Sequence, residues 1–346
     1  MKTLEMTAAT GRANNFKEKR RIVLKSIALA AMPLVAKTVL AQTPAAGAWP
    51  QRPVKWIVSQ PAGAGPDILA RFLAEQLART WGQPVVVDNR PGGQNVIGSQ
   101  AAARSAPDGY TFFYGTTAAM VTNSFTFKTL PYDPEKDFVP ITLVGRSPFV
   151  IATSTASGFK NLADALTAAR AKPGQVAMAS EGPKTFAGML ASTVAAMGGV
   201  NINQVPYTKA TDAIQDVLGG RVPLICLPEA ALATYIKNGQ LVALAVSTQE
   251  RVANLPGVPS LADTFRGFDY SGWNGLFAPT GTPADVVAKV NRDFNALLKQ
   301  PEVAQRLQSL GSLADGTMNP AAFAAFMKAE RERWAGIVKA IGITAE

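Results

Sequence analysis

The clearest signal for the fold lies in residues 54–80, which read VKWIVSQPAGAGPDILARFLAEQLART. The first five residues are β-branched or aromatic around a single Lys, and they predict a strand at 54–58. Residues 67–80 repeat apolar side chains at helical spacing and predict a helix. The glycine-bearing stretch between them, 59–66, is therefore a loop that leads from a strand into a helix, as in the first half of a βαβ unit.

The same alternation of short apolar runs and Ala/Leu-rich helical stretches continues along the chain. Further strands are predicted at 84–87, 110–114, 150–152, 176–179, 222–227 and 241–247. The apolar run at 241–246 is typical of a strand covered on both faces. Three C-terminal helices are predicted at 283–299, 301–310 and 320–341, each with a Pro near its first turn. The pattern predicts an α/β protein with largely parallel sheets.

The charge of the chain is concentrated at its N-terminus. The 346 residues, about two domains' worth, carry a formal net charge of +10 from 34 basic and 24 acidic residues. Residues 1–41 hold eight basic and two acidic residues, a net of +6, so the remainder carries +4. An excess this small does not indicate a nucleic-acid partner.

The N-terminus has the pattern of an export signal. A basic run at 17–21 precedes an apolar stretch at 26–36, and small residues at 39–41 suit cleavage. The apolar stretch is shorter than the roughly 20 residues needed to cross a bilayer. We expect a signal peptide at 1–41, a linker at 42–48 and a periplasmic mature protein. Residues 20–25, RRIVLK, resemble a twin-arginine signal without its usual Ser and Phe, so Sec and twin-arginine export both stay open.

Two absences exclude common kinds of catalytic and metal site. The chain has no His and one Cys, Cys226, so it cannot form a zinc cluster of His and Cys, a Ser-His-Asp triad or a Cys-His pair. We expect Cys226 to be buried and expect no metal or cofactor. Asp67 and Glu229 are the acid or base candidates near the predicted loops, and they form no recognisable catalytic constellation. The composition therefore favours a binding protein over an enzyme.

Two loops offer sites for an anion. Residues 59–67 place glycines between a strand and a helix, where backbone N–H groups and the helix dipole can hold an anion. The alternative is an ordinary turn capped by Asp67. Residues 179–185 form a matching loop, in which Lys184 could attract an anion. Ligands of open α/β sheets bind at the carboxyl ends of strands, so the two loops could face each other across a cleft.

Ordered motifs along most of the chain indicate a family. They are PAGxGxDxxAR at 61–71, DNRPG at 88–92, APDGYT at 106–111, LPYDPxKDF at 130–138, KPGQ at 172–175, VPY at 205–207, LGG at 218–220, LPxVPS at 255–260 and WxGLxAPxGTP at 273–283. In this combination the chain resembles the periplasmic substrate-binding component of tripartite tricarboxylate transporters, the Bug or TctC-like family. The resemblance covers roughly residues 49–342.

The resemblance implies a type II periplasmic-binding-protein fold, in which two α/β lobes enclose a ligand cleft. Lobe 1 would comprise 49–148 and 272–346, and lobe 2 would comprise 149–271. The implied ligand-binding residues are Gln60, Pro61, Ala62, Gly63, Ala64, Gly65, Asp67, Thr116, Thr117, Ser180, Gly182, Thr185, Phe186, Tyr207, Thr208 and Leu227.

The family's role would be to capture a small organic carboxylate and deliver it to membrane permease subunits, with the binding protein acting as a monomer. A protein that reports its ligand to a sensor kinase is the alternative, and an enzyme acting on a carboxylate is a third.

Several positions depart from the family pattern. Ala64 alters the usual Pro-Gly-Gly loop, Gln60 stands where an aromatic residue is common, and Thr208 follows the VPY motif in place of Lys. Leu227 stands where some members carry an Asp that can pair with an amino group, which argues against an amino-acid ligand. Phe186 replaces a smaller polar residue. Leu227 and Phe186 together favour an apolar or aromatic carboxylate.

Overall fold

The computed structural model describes residues 49–345, and the predicted signal peptide and linker lie outside the described residues. Within that range the strands are β1 (Val54–Val58), β2 (Val85–Asn89), β3 (Thr111–Thr116), β4 (Phe138–Ser147), β5 (Phe149–Ser154), β6 (Ala177–Ser180), β7 (Asn203–Pro206), β8 (Leu224–Pro228), β9 (Leu241–Val246), β10 (Gly272–Pro279) and β11 (Leu313–Ala314). These bounds confirm each strand predicted above to within about two residues.

Helices separate most of these strands. Over the same range they are α1 (Gly65–Trp81), α2 (Val96–Ala103), α3 (Asn123–Thr126), α4 (Leu162–Ala171), α5 (Phe186–Met197), α6 (Ala210–Leu218), α7 (Glu229–Lys237), α8 (Leu261–Thr264), α9 (Ala284–Leu298), α10 (Pro301–Ser309) and α11 (Pro320–Ile341). A π-helical turn spans Ala118–Thr122 and a 3₁₀ turn spans Thr155–Ser157. No helix in the described part of the chain is long and apolar enough to cross a membrane.

The strands form two sheets. The first has the order β11-β4-β10-β3-β1-β2, and the second has the order β7-β6-β8-β5-β9. Strand β1 is parallel to β2 and β3, and β6 is parallel to β7 and β8. Strands β4, β5 and β10 pair antiparallel with their neighbours. The expected parallel pairing therefore holds around β1 and β6, and antiparallel strands complete each sheet.

The chain passes between the sheets twice. Strand β4 of the first sheet and β5 of the second are separated only by Pro148. The chain returns to the first sheet between β9 and β10. Strand β9 lies at the edge of the second sheet, so Val242 and Ala243 are only half-buried, and the expected burial on both faces holds for only part of it.

One hydrophobic core cluster draws on both sheets. It contains Phe113 and Phe277 from the first sheet and Phe149 from the second. Helix α11 joins the two, because its buried Phe323 lies against Phe277 and its buried Trp334 lies against α5. Separate clusters cover the other face of each sheet.

Candidate functional site

The first loop follows β1 and ends at α1. Gly63 has a φ of +83°, a left-handed conformation suited to glycine, and the Ala64 amide donates to the Pro61 carbonyl at 3.2 Å. The N-cap of α1 is Ala64, whose side chain makes no capping hydrogen bond. Asp67 lies in the first turn of the helix and accepts a hydrogen bond from the Gly63 amide at 2.8 Å. This hydrogen bond supports the alternative in which Asp67 caps the turn, and Asp67 makes it from within α1.

The Asp67 carboxylate is buried and fully engaged. Its Oδ1 accepts from Asn89 Nδ2 at 2.8 Å, and Arg71 Nε lies 3.0 Å from the same oxygen. The Asn89 amide also donates to the Gln60 carbonyl at 3.0 Å. Burial acts to raise the pKa of Asp67, but the hydrogen bonds from Gly63, Arg71 and Asn89 outweigh it and hold the pKa below its ordinary value. The structure thus gives Asp67 the role of a positioning residue that shapes the loop. Both of its carboxylate oxygens are already engaged, so neither is free for the predicted contact with ligand.

A strained turn after β2 braces the same loop. Gly92, Gly93, Gln94 and Asn95 all have positive φ, and the values for the last two are +52° and +79°. Such a conformation costs a residue with a side chain about 1 kcal/mol or more, so it persists only where surrounding contacts impose it. Asn95 Oδ1 accepts from Gln60 Nε2 at 2.7 Å and from Ser59 Oγ at 3.2 Å.

Asn95 is thus part of the candidate site, although the sequence did not single it out. The available signal was an Asn after paired glycines, since Asn tolerates left-handed backbone better than most residues.

The loop after β3 is fixed to β10. Thr117 is buried, and its Oγ1 accepts from the Trp273 amide at 2.7 Å and donates to the Trp273 carbonyl at 3.3 Å. Thr116 is half-buried, and its Oγ1 accepts from the Ala119 amide at 3.4 Å. The π-helical turn follows directly, and such turns are frequent at functional sites. Of the two predicted ligand residues, Thr116 therefore has the more available side chain.

The second loop connects β6 to α5. Ser180 is buried, and its Oγ accepts from the Gly182 amide at 3.2 Å. Thr185 is the N-cap of α5, with its Oγ1 donating to the Gly182 carbonyl at 2.7 Å and accepting from the Gly188 amide at 3.2 Å. A Cβ at Gly188 would lie 2.0 Å from the Gly182 carbonyl oxygen, so only glycine allows this close approach. The loop is held tightly against the first turn of α5.

Glu181 projects from this second loop. Its side chain is exposed. Burial by the surrounding protein nonetheless raises the pKa of Glu181, and its charge contributes to the raised pKa of the buried Cys226 thiol. The sequence analysis did not include Glu181, because a lone Glu in a loop is ordinarily a solvated surface residue.

Two predicted ligand residues belong to the core. Phe186 is 7% exposed and packs against Phe149 and Trp334, with ring centroids 4.5 and 5.3 Å apart. Leu227 is fully buried on β8, and its backbone pairs with Val150 of β5. Both side chains are buried, so the preference for an apolar or aromatic ligand loses both of its supports. The reason is that each residue lies on a face already covered by a hydrophobic cluster.

The other residues predicted from sequence to bind ligand or act as an acid or base lie at the second loop or near it. The Tyr207 amide donates to the Ser180 carbonyl at 2.8 Å, which brings it to the second loop, but its hydroxyl donates to Asp216 at 2.6 Å. Thr208 is exposed beside it. Glu229 is buried at the start of α7 and accepts a long hydrogen bond from Asn254 at 3.4 Å.

Two surface recesses lie elsewhere on the protein. One of about 400 Å³ includes Arg170 and Asn201, and another of about 330 Å³ includes Tyr270 and Arg333. Neither contains a residue predicted to bind ligand. The candidate site is therefore formed by the loops at the carboxyl ends of β1 and β6, each of which leads into the N-terminus of a helix.

Comparison with known proteins identifies the same family that the motifs indicate. The family model described as tripartite tricarboxylate transporter family receptor matches residues 69–343. A UPF0065 protein from the tcbD-tcbE intergenic region of Pseudomonas sp. (strain P51) is 34% identical over 321 residues, covering 92% of this chain and 94% of that protein.

Solved structures share the fold. The R. palustris protein Rpa4515 with adipate has a TM-score of 0.80 and 29% identity, covering 86% of this chain and 100% of that one. The periplasmic binding protein BugD has a TM-score of 0.76 and 30% identity, with the same coverage. MatC from Rhodopseudomonas palustris with bound malate has a TM-score of 0.74 and 27% identity, covering 84% and 100%. The fold is thus that of a periplasmic binding protein with two α/β lobes and a cleft between them, as predicted.

Proposed function

The chain belongs to the tripartite tricarboxylate transporter family receptors, and from this premise we propose that it captures a small organic carboxylate between its two lobes. The observation that carries the proposal is the pair of loops after β1 and β6. Each loop ends at a helix N-terminus, and each is braced by its own side chains, through Asp67 in one and Thr185 in the other.

Backbone N–H groups are the proposed carboxylate ligands. The first N–H groups of a helix have no acceptor within the helix, and the helix dipole makes its N-terminus favourable for an anion. Pro66 lacks an N–H group, so the groups of Gly65 and Asp67 are the ones that α1 offers. In α5 the Gly188 amide is capped by Thr185, which leaves those of Phe186 and Ala187. Charge-assisted hydrogen bonds of this kind hold a carboxylate without an Arg.

Lobe closure is the proposed means of capture. We place lobe 1 at 49–148 and 272–346 and lobe 2 at 149–271, because the chain changes sheets at Pro148 and before Gly272. Two short connections of this type allow two lobes to close around a ligand as rigid bodies. The closed form would then deliver its ligand to the permease subunits of a tripartite tricarboxylate transporter. The relatives solved with adipate and malate support a carboxylate as the cargo.

The same proposal includes the location of the protein, its oligomeric state and the absence of turnover. The N-terminal signal would direct the protein to the periplasm, by the Sec or the twin-arginine route, and the mature protein would act as a monomer without nucleic acid. Its work would be binding without turnover. The carboxylate of Asp67 is engaged by Gly63, Arg71 and Asn89, which leaves it no oxygen for proton transfer to a substrate. Glu229, the other acid named from the sequence, is buried beneath α7.

Thermal denaturation in the presence of a panel of carboxylates tests the proposal. The protein is first unfolded and refolded to remove retained ligand. A ligand at a hundred times its dissociation constant should stabilise the protein by about 2.7 kcal/mol. The bound acid is then recovered and analysed by mass spectrometry. Stabilisation with recovery of the unchanged acid is the expected result. The absence of stabilisation by any carboxylate would overturn the proposal, and chemical conversion of the acid would show an enzyme instead.

A further inference from the structure

Helix α11 packs against both lobes as they are placed above. Its first half lies on lobe 1, where the ring centroids of Phe323 and Phe277 are 5.2 Å apart. Its second half lies on lobe 2, where the ring centroids of Trp334 and Phe186 are 5.3 Å apart. The 22 residues of α11 form one continuous helix about 33 Å long. The helix therefore connects the lobes in addition to the two crossings of the chain.

A polar cluster holds the middle of α11 at one of these crossings. The Glu330 carboxylate is buried and accepts hydrogen bonds from Trp273 Nε1 at 3.0 Å and from Arg333. Arg333 also donates to the Asp269 carbonyl, and its guanidinium carbon lies 5.4 Å from the centroid of the Tyr270 ring. Asp269 and Tyr270 lie just before the second crossing, so α11 is fixed at the place where the lobes join.

A recess lies between α5 and α11 beyond the contact of Phe186 with Trp334. Its volume is about 330 Å³, and its walls include Ala196 of α5 with Gly336 and Ala340 of α11. A Cβ at Gly336 would meet nothing within 4 Å among the described residues. At a helical rise of about 1.5 Å per residue, Ala196 lies about 15 Å along α5 from Phe186. The second loop precedes Phe186, so the loop and the recess are on opposite sides of the ring contact.

We propose that the contact between Phe186 and Trp334 is the pivot of lobe closure, and that α11 sets the balance between open and closed forms. The inference rests on the proposed function, in which the lobes close around a ligand. Close-packed rings resist compression, so the lobes rock about this contact. As the second loop approaches lobe 1, the far end of α5 moves away from α11 and the recess widens. A side chain that fills the recess is therefore a wedge against the open form.

The balance between the two forms sets the affinity for ligand. The apparent dissociation constant equals the intrinsic constant divided by the fraction of the protein that is competent to bind. A wedge in the recess raises that fraction without contacting the ligand. It should tighten the binding of every carboxylate that the protein accepts by the same factor, because it changes no contact in the cleft.

Variants that fill the recess test the pivot. Gly336→Phe places a ring in the recess, and Gly336→Ala is its control because it removes the glycine and adds little volume. Ala196→Phe fills the recess from α5, independently of α11. Ala335→Phe is the matched control for the added ring, since Ala335 is an exposed residue of α11 outside the walls of the recess. Gly336 and Ala196 are also exposed, so the filled variants should fold.

Two measurements read out the balance. Small-angle X-ray scattering of the refolded, ligand-free variants measures closure, and titration calorimetry with succinate, malate and adipate measures affinity. Gly336→Phe and Ala196→Phe should have a smaller radius of gyration than the two controls. They should also bind each acid that the unchanged protein binds roughly three- to tenfold more tightly. Gly336→Ala and Ala335→Phe should match the unchanged protein in both measurements.

The outcomes separate the inference from the proposed function. An unchanged radius of gyration in both filled variants would overturn the pivot, and so would dissociation constants equal to those of the controls. Weaker binding by the filled variants would show that the recess narrows on closure and would overturn it as well. If the filled variants become more compact but no carboxylate binds to any form of the protein, the proposed function fails while the role of α11 in closure stands. Thermal denaturation of each variant without ligand verifies that it is folded.

Discussion

The Asp67 carboxylate accepts a hydrogen bond from the Gly63 amide at 2.8 Å, so the helix that follows the first loop also fixes the shape of that loop. The same carboxylate binds Arg71 and Asn89, and Asn89 binds the Gln60 carbonyl. The loop is therefore preorganised before a ligand arrives. Preorganisation reduces the conformational entropy that binding would otherwise have to overcome.

Replacing Asp67 with Asn should weaken both folding and binding. The amide nitrogen would face the N–H of Gly63 or of Asn89, each of which is a donor, and the pair with Arg71 would lose its charge. We expect the free energy of unfolding to fall by about 1–3 kcal/mol. Urea denaturation measures this change. The control is Glu75→Gln on the same helix, where the pair with Arg79 is exposed and is worth at most about 0.5 kcal/mol. Equal losses in the two variants would contradict the role of Asp67.

Acid should weaken the protein through the same residue. The pKa of Asp67 in the folded protein lies below its ordinary value of 3.8. A carboxyl with a lowered pKa contributes stability above its unfolded pKa and loses it as the pH falls through the folded value. The difference in unfolding free energy between the unchanged protein and Asp67→Asn should therefore have its largest value at neutral pH and become smaller below pH 3.8. Denaturation curves across that range would contradict this if the difference stayed constant.

Gly188 should not tolerate a side chain. A Cβ at Gly188 in helix α5 would lie 2.0 Å from the carbonyl oxygen of Gly182 in the second loop. That oxygen belongs to the backbone, so it cannot move aside as a flexible side chain could. We expect Gly188→Ala to cost about 2 kcal/mol or more and to weaken ligand binding. Gly336→Ala in helix α11 is the control, since a Cβ there meets nothing within 4 Å and should stabilise the helix by about 0.5–1 kcal/mol. A neutral Gly188→Ala would mean that the loop is not held against α5.

The Phe186 side chain should behave as part of the core, and only its backbone amide should serve the ligand site. Its ring lies between Phe149 and Trp334, so Phe186→Ala would leave a cavity and cost about 3 kcal/mol or more. The order of affinities across a ligand panel should not change. Met197→Ala at the exposed end of the same helix should change stability by less than about 0.5 kcal/mol. A change in ligand order with little loss of stability would return Phe186 to the ligand site.

The sequence predicted most of the parallel strands and the long helices, because each has a clear apolar period and turn residues at its ends. It missed β4, β7, β10 and β11, although β10 lies inside the first sheet. Strand β10 contains Gly272 and Gly275, which weaken a strand pattern. Gly275 is required by packing, since a Cβ there would lie 2.4 Å from the Phe323 ring, 48 residues away in the chain. Contacts between distant segments leave no such local signal.

The site shows the same limit. The glycine-bearing loops at 59–67 and 179–185 were predicted because their composition is local. The internal role of Asp67 depends on Asn89, and the bracing of Gln60 depends on Asn95, both brought near by the order of the strands. The burial of Leu227 and Phe186 could not be predicted, because a sequence does not tell which face of a strand or helix is already covered.

Glu181 should make the free protein less stable at neutral pH than a neutral residue would. Burial raises its pKa above the ordinary value of 4.5, so folding disfavours the ionised form. For a raised pKa, the favourable contribution is complete below the unfolded value and is lost as the pH rises through the folded value. Glu181→Gln should therefore melt at a higher temperature than the unchanged protein at neutral pH, and the two should converge as the pH falls below 4.5. Glu250→Gln, at an exposed glutamate outside the loops, should show no such convergence. Equal melting temperatures at neutral pH would mean that Glu181 is fully solvated.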